Sequence, residues 1–377
     1  MTMAGDGYFL YHSIGQYPGK ATDMAAAMAD FSVAWGSAND AQWGYALGKR
    51  QEFIAQWSAL IGAANGTLTT TENVTASLYS LMGSLPRNTL TGKKVLVAGD
   101  CFPSVHFLLA GLAPRLGFEL VTVPLRQGAT WAEDEDIIGH WGPDVGVALL
   151  TWVSSTSSHR SDIAALVAHG HAQGSVIGVD ITQAAGLLPF DVAKPEVDFA
   201  ISTSLKWMCG APGAGILYVK PDLIGICAPE FRGWFSQPDP FSWDFDAFAY
   251  APDIRRFDNG TPGVVAALAS LPAMHWLMAQ DRAALLAHNR RLGAQVLAGV
   301  DALGLALASP RKESERGGSI MVRLPDTVAA ADVLGAFRAA DIFADARGQV
   351  LRLSPGVMTT DAGVSRMLKA LGEALAQ

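Results

Sequence analysis

The chain has 377 residues, enough for two domains at roughly 150 residues each. Half of its residues are apolar and only 16% are charged, against about 25% in an average globular chain, so it must bury a large core. With 27 Lys and Arg against 35 Asp and Glu, its net charge of −8 argues against a nucleic-acid binder held by phosphate contacts and against a polybasic membrane surface. No apolar run approaches the ~18 residues of a membrane span, and the N-terminal stretch lacks the basic region and apolar run of a secretory signal. Cys101, Cys209 and Cys227 show no CxxC spacing, which fits a reduced, cytoplasmic protein better than a disulfide framework or zinc site.

In chain order, residues 1–21 read as an N-terminal arm, aromatic and punctuated by Gly and Pro between Tyr8 and Pro18. Residues 22–63 read as helical, with Phe31, Trp35, Phe53, Trp57 and Ile61 near helical spacing. From about 66 to 220 short apolar runs alternate with amphipathic ones. The segments 93–100, 118–125, 145–153, 175–182, 197–203 and 213–221 are predicted strands, and 71–85 and 166–173 are predicted helices. Such alternation implies a mainly parallel sheet covered on both faces. Residues 221–262 are rich in aromatics, Pro and Gly and read as a long irregular connection. A helix returns near 263, and residues 318–324, 336–343 and 349–354 then predict a small α+β unit closed by a C-terminal helix. The expected division is a large α/β domain over 22–262 and a small domain over 263–377.

Asp180 closes one predicted strand and Lys206 follows the end of the next. In open α/β sheets ligands bind beyond the carboxyl ends of the strands. An acid and an amine placed there on two strands could hold pyridoxal phosphate, whose ring nitrogen needs an acid and whose aldehyde needs a lysine. Taken alone, the same two residues could be a helix cap and a lysine reaching solvent. Residues 69–79, TTTENVTASLY, cluster hydroxyl and amide groups where a helix begins. They could receive a phosphate, or Thr69 and Glu72 could form an ordinary capping box. The run GAPGAG at 210–215 has the order GxxGxG and precedes a strand, so it reads as a tight turn behind the lysine and not as a dinucleotide fingerprint. Arg352 at a strand end presents a planar fork that matches a carboxylate, or a surface salt bridge. His12, His106, His140, His159, His169 and His171 have no metal-ligand spacing and read as surface or core-edge residues.

In combination these segments resemble the fold-type I pyridoxal-phosphate enzymes, within them the class V aminotransferase group, and most of all kynureninase, over nearly the whole chain. The resemblance implies a fold-type I transferase-like α/β architecture and the cofactor pyridoxal 5'-phosphate. Residues 70–79 are similar to the family's phosphate-binding segment, which places Asn73, Val74 and Thr75 at the phosphate. Residues 100–108, DCFPSVHFL, imply that Phe102 stacks on the pyridine ring. Residues 150–167 imply Ser154 near the ring oxygen. Residues 178–192, GVDITQAAGLLPFDV, form the most specific match: Asp180 would pair with the pyridine nitrogen and Gln183 would take the family's His or Gln position. Residues 202–219 make Lys206 the Schiff-base lysine. Residues 231–241 and 254–262 imply Trp234 and Thr261 on the phosphate side, and residues 352–368 make Arg352 the receptor of the substrate's α-carboxylate.

Two departures stand out. Leu205 precedes the lysine where kynureninase has Tyr, and Phe235, Ser236 and Gln237 follow Trp234 where it has a Gly-His. Cysteine desulfurase, another relative, needs a mobile-loop cysteine in the second half of the chain, and the last cysteine here is Cys227. The expected activity is a lyase or hydrolase cleaving an amino acid at Cβ, with a class V aminotransferase as the alternative and a non-catalytic relative as a third reading. The resemblance also implies a homodimer and a small-molecule amino-acid substrate, with no nucleic-acid or membrane partner.

Overall fold

The computed structural model describes residues 5–376, so residues 1–4 of the arm and Gln377 lie outside the description. After the arm come helices α1 (Lys20–Gly36) and α2 (Gln42–Ile61), strand β1 (Leu68–Thr71), α3 (Val74–Met82), α4 (Arg87–Leu90), β2 (Lys94–Ala98), α5 (Pro103–Leu116), β3 (Glu119–Val123), α6 (Asp134–Gly139), β4 (Val145–Thr151), α7 (Ile163–Gln173), β5 (Val176–Asp180), β6 (Phe199–Thr203), β7 (Gly215–Val219) and α8 (Pro221–Ile226). Local chemistry sets several of these limits. Pro103 opens α5, where its missing N–H costs nothing, and Gly117 closes it in the left-handed region. The Asp162 side chain caps α7 by accepting from Ala165 N, and left-handed Gly174 ends it.

The seven strands form one sheet in the order β1-β7-β6-β5-β4-β2-β3. β7 is antiparallel to both neighbours and every other pair is parallel, so six strands run in one direction. Alternate side chains feed opposite faces: Val95, Val97, Val147 and Leu149 pack with Leu78 and Leu109 of α3 and α5. Leu96, Ala148 and Leu150 pack with Trp57, Ile61 and Leu166 of α2 and α7. Burial on both faces is why β4 to β7 read as near-continuous apolar runs.

Beyond the aromatic connection lie α9 (Val265–Met278), α10 (Arg282–Ala302), β8 (Ala306–Leu307), β9 (Ile320–Arg323), α11 (Ala330–Ala339), β10 (Asp345–Arg347), β11 (Val350–Leu353) and α12 (Asp361–Leu375). Their antiparallel sheet has the order β10-β11-β9-β8. Leu292, Val322, Phe337, Leu353 and Met367 fill its core. Packing moves the expected division at 262, because Ala267, Leu271, Met274 and Leu277 of α9 belong to the large core; the small core begins with α10. The arm serves both cores. Phe9 is buried in the small one, Tyr11 and Tyr17 in the large one.

One alternative is ruled out and one expectation is made specific. Thr69 and Glu72 form no capping box: Thr69 lies in β1, and Asn73 caps α3 by accepting from Ala76 N at 2.9 Å. The stretch 336–343 lies in the small α+β unit as expected, as the end of α11 followed by a turn, with Phe343 making a single bridge to Tyr8.

Candidate active site

The shared strand direction gathers four strand ends, at Thr71, Thr151, Asp180 and Thr203, along one edge of the sheet. Gly215 begins the reversed β7 at the same edge, opposite Thr71 and Thr203. A Cβ there would come within 3.0 Å of the Asn73 backbone, so glycine lets the turn into α3 lie against the sheet. Beyond this edge a cavity of about 470 Å³ is lined by Asn73, Val74, Thr75, Phe102, Asp180, Gln183 and Lys206. A larger polar groove of about 850 Å³ lies around Trp131, His159 and Arg160, but it contains none of the strand-end acid, the lysine or the α3 terminus.

Lys206 sits in a turn after β6, closed by Cys209 N donating to its carbonyl at 2.8 Å and Gly210 N donating to Ser204 O at 2.7 Å. A Cβ at Gly210 would meet the Ser204 and Ser270 side chains within 3.0 Å; the GAPGAG run is thus a tight turn behind the lysine. Lys206 Nζ lies 5.4 Å from the centre of the Phe102 ring. Burial lowers the Lys206 pKa to about 8, with Asp180 opposing and Arg352 adding to the shift. At neutral pH about one lysine in ten is then an uncharged nucleophile, several hundred times the usual share. Burial pushes the Asp180 carboxyl upward, against the hydrogen bond from Thr182 N at 2.9 Å and the charge of Lys206.

The residues fit pyridoxal phosphate. The side chain of Asn73 occupies Ala76 N, which leaves the first-turn N–H groups of Val74 and Thr75 without intrahelical partners, as at any helix start. Thr203 lines the cavity and its buried hydroxyl has no protein partner, and buried hydroxyls are normally hydrogen-bonded; the Thr182 side chain, also at the cavity, supports the Asp180 carboxylate. Phe102 offers a flat apolar face, Asp180 a desolvated acid and Lys206 an amine. Bound there, the cofactor would supply an electron sink for the substrate's Cα.

Gln183 also lines the cavity, its Nε2 donating to His12 O at 3.1 Å. Other expected residues fall elsewhere. Thr151, Val153 and Ser155 line the cavity with the period of an extended strand, so Ser154 faces away, toward Thr156 and Asp100. Trp234 packs on Phe235 and Phe241 in a separate groove with Trp243. Thr261 lines a neighbouring cavity that shares Glu72 and Gly213 with this one. Neither Trp234 nor Thr261 lines the cavity of its own chain. Arg352 is only 7% exposed, and its fork is taken: Nε and Nη2 donate to Asp345.

The sequence profile described as Aminotransferase class-V matches residues 46–353. The chain belongs to that family. With it, the protein is a pyridoxal-phosphate-dependent enzyme. It is 29% identical to a kynureninase of Deinococcus radiodurans over 76% of this chain and 70% of the relative. It is 27% identical to an uncharacterized aminotransferase of Bacillus subtilis over 84% of this chain and 82% of the relative. Among solved structures it resembles a cysteine desulfurase of Thermococcus onnurineus, with TM-score 0.86 and 18% identity over 98% of this chain and 94% of that one. It also resembles the cystine C-S lyase C-DES, with TM-score 0.87 and 17% identity over 98% of each chain. The fold is therefore that of fold-type I enzymes, with a mainly parallel sheet and a second small antiparallel one.

Sequence reasoning missed Ser155, Thr182, Thr203, His12 and Asp345. The strand period could have chosen Ser155 over Ser154, and Thr203 is the last residue of its strand. Nothing in the sequence joined His12 to Asp345.

Proposed function

We propose that this enzyme acts on a small amino acid and cleaves it at Cβ, as a kynureninase-like lyase or hydrolase. The observation that carries the chemistry is the pairing of Lys206 and Asp180 on adjacent strand ends inside one cavity. Lys206 would be the amine that holds the cofactor, and the same amine would serve as the base at the substrate's Cα. Asp180, oriented by the Thr182 N–H, would keep a proton on the ring nitrogen. Phe102 would offer the face that holds the ring, and the Val74 and Thr75 N–H groups would receive the phosphate. The kynureninase relatives support the choice of Cβ. The aminotransferase relative supports transamination as the second reading.

The two readings separate on one measurement. A lyase or hydrolase releases its product from a single amino acid, whereas a transaminase turns over only when a keto acid is also supplied. Sustained product release without a keto acid is expected; its absence, with turnover restored by a keto acid, selects transamination. Glu72 lines the cavity, and among the described residues Lys206, which would be committed to the cofactor, is its only cationic lining side chain; Arg352 lies behind Ser155 and would be committed to the α-carboxylate, so an amino acid with an uncharged side chain is expected over aspartate or glutamate.

The dimer belongs to the same reading. Phe231, Phe241, Trp243 and Phe245 are exposed along one connection, an apolar surface of the kind that marks an interface. A second copy seated there could bring Trp234 and Thr261 toward its neighbour's cavity. Sedimentation is expected to give twice the chain mass at micromolar concentration. A reducing, cytoplasmic location goes with the three free cysteines.

A further inference from the structure

Resting on the reading of Arg352 as carboxylate receptor, we infer that Asp345 and His12 are positioning residues that hold its guanidinium for a substrate carboxylate. Arg352 and Asp345 face each other across the β10–β11 pair. Nε donates to one Asp345 oxygen at 2.7 Å, Nη2 donates to the other, and Nη1 reaches the Ser155 carbonyl at 3.4 Å. A bidentate pair of this kind fixes the plane of the guanidinium. It also means that the fork is not open to the substrate. Ser155 lines the cavity and Arg352 stands behind it without lining it, so a substrate carboxylate would be met by Nη1, given up by the long bond to Ser155 O, and by the outer N–H of Nη2.

Asp345 is held in turn from the arm. His12 Nε2 lies 3.0 Å from Asp345 Oδ1, close enough to pair but out of line for a hydrogen bond. His12 Nδ1 lies 2.7 Å from Ser354 Oγ, which lies 2.6 Å from Ser319 Oγ. Burial lowers the His12 pKa, Asp345 opposes and Arg352 and Lys206 reinforce it, so the ring is neutral near pH 7. Asp345 stays ionised: burial alone would raise it, but the paired Arg352 guanidinium holds it well below the usual carboxylate range. The His12 carbonyl also receives Gln183. One arm residue therefore ties the cofactor side of the cavity to the carboxylate side. Arg347, exposed and 3.7 Å from Asp345, is too loose to replace it.

The test uses the cofactor-loaded enzyme and two probes, L-alanine and L-alaninamide, titrated by the change in the cofactor's visible band. The wild type is expected to bind the acid at least tenfold more tightly than the amide. Asp345→Ala should cut that preference to within about threefold while leaving the amide's affinity and the cofactor's own spectrum unchanged. Asp345→Asn, which keeps one acceptor, should fall between. His12→Gln should move the preference in the same direction by a smaller factor. An Asp345→Ala protein that keeps the wild-type preference overturns the proposal, as does one that weakens acid and amide alike. Failure of the underlying reading looks different: Arg352→Ala would then retain the preference, or the wild type would take up no cofactor.

Discussion

The two walls of the cavity are built in different ways. The strand-edge wall consists of Thr151, Asp180, Thr203 and Lys206, each on or just after a strand of one sheet. Once the sheet forms in its order, these positions follow from the backbone. The carboxylate wall meets the cavity at Ser155 in the loop after β4 and is backed by Arg352 and Asp345 of the β10–β11 hairpin and by His12 of the arm. It exists only when the arm and both cores have docked. The first wall is suited to bond chemistry, which needs fixed atoms near the cofactor. The second is suited to recognition, which can respond to how the domains sit.

Substitutions test that division. On the strand-edge wall the largest loss is expected from Lys206→Ala. Removing the attachment amine and the base together should lower kcat by at least the roughly 10²–10⁴-fold of a general base. The thermal transition of the cofactor-free protein should not fall, since a lysine whose charged form is disfavoured by burial has been removed. A variant that retained more than a tenth of the wild-type kcat would break the assignment. Asp180→Asn should come next, keeping shape and hydrogen bonding but losing the charge that holds the ring proton. Its kcat is expected to drop by about 10²-fold or more, with the KM for the amino acid changed far less. A rise in KM alone would move Asp180 to the recognition wall.

The sequence made the first wall readable and the second mostly not. Asp180 and Lys206 stand out because strand periodicity places them at carboxyl ends. The error at Ser154 is one residue of strand phase, which turns a side chain to the opposite face. β1 was missed because Leu68–Thr71 is a four-residue polar strand lying directly before a helix, where Thr and Asn equally signal a cap. Arg352 was picked out for its chemistry, but its pairing with Asp345 depends on hairpin register. His12 is 342 residues from Ser354 in sequence and 2.7 Å from it in space. Only tertiary docking brings such a pair together.

The depressed pKa of Lys206 sharpens the comparison through pH. Only the neutral amine attacks an aldehyde, so covalent capture of added pyridoxal phosphate by the cofactor-free protein should quicken about tenfold per pH unit and level off above about 8. A plateau reached only near pH 10 would mean an unperturbed, solvated lysine. The linked stability has a definite sign. Between about pH 8 and 10.5 the unfolded lysine holds a proton that the folded one has lost, so the cofactor-free protein gains stability as pH rises through that window. Differential scanning calorimetry of the wild type against Lys206→Met isolates this contribution.

The smallest expected effect concerns the side chain of the substrate. Leu205 lines the cavity, whereas Ser236 and Gln237 do not. An apolar group therefore stands where kynureninase has a tyrosine, and the 235–237 stretch directly after Trp234 holds no histidine. A site that hydrogen-bonds a polar group can discriminate by orders of magnitude, and one without such groups has no comparable grip. L-kynurenine should accordingly be a poor substrate, with kcat/KM for anthranilate release below about 10⁴ M⁻¹s⁻¹, the lower end of the usual enzymatic range. Leu205→Tyr restores one hydroxyl at the cavity wall but not the missing histidine. It should raise anthranilate release by no more than about tenfold, the value of one net hydrogen bond of roughly 1–1.5 kcal/mol. Anthranilate fluorescence measures both proteins directly. Fast release by the wild type would restore the plain kynureninase assignment, and no gain in Leu205→Tyr would mean that the 205 side chain does not reach the aryl ketone.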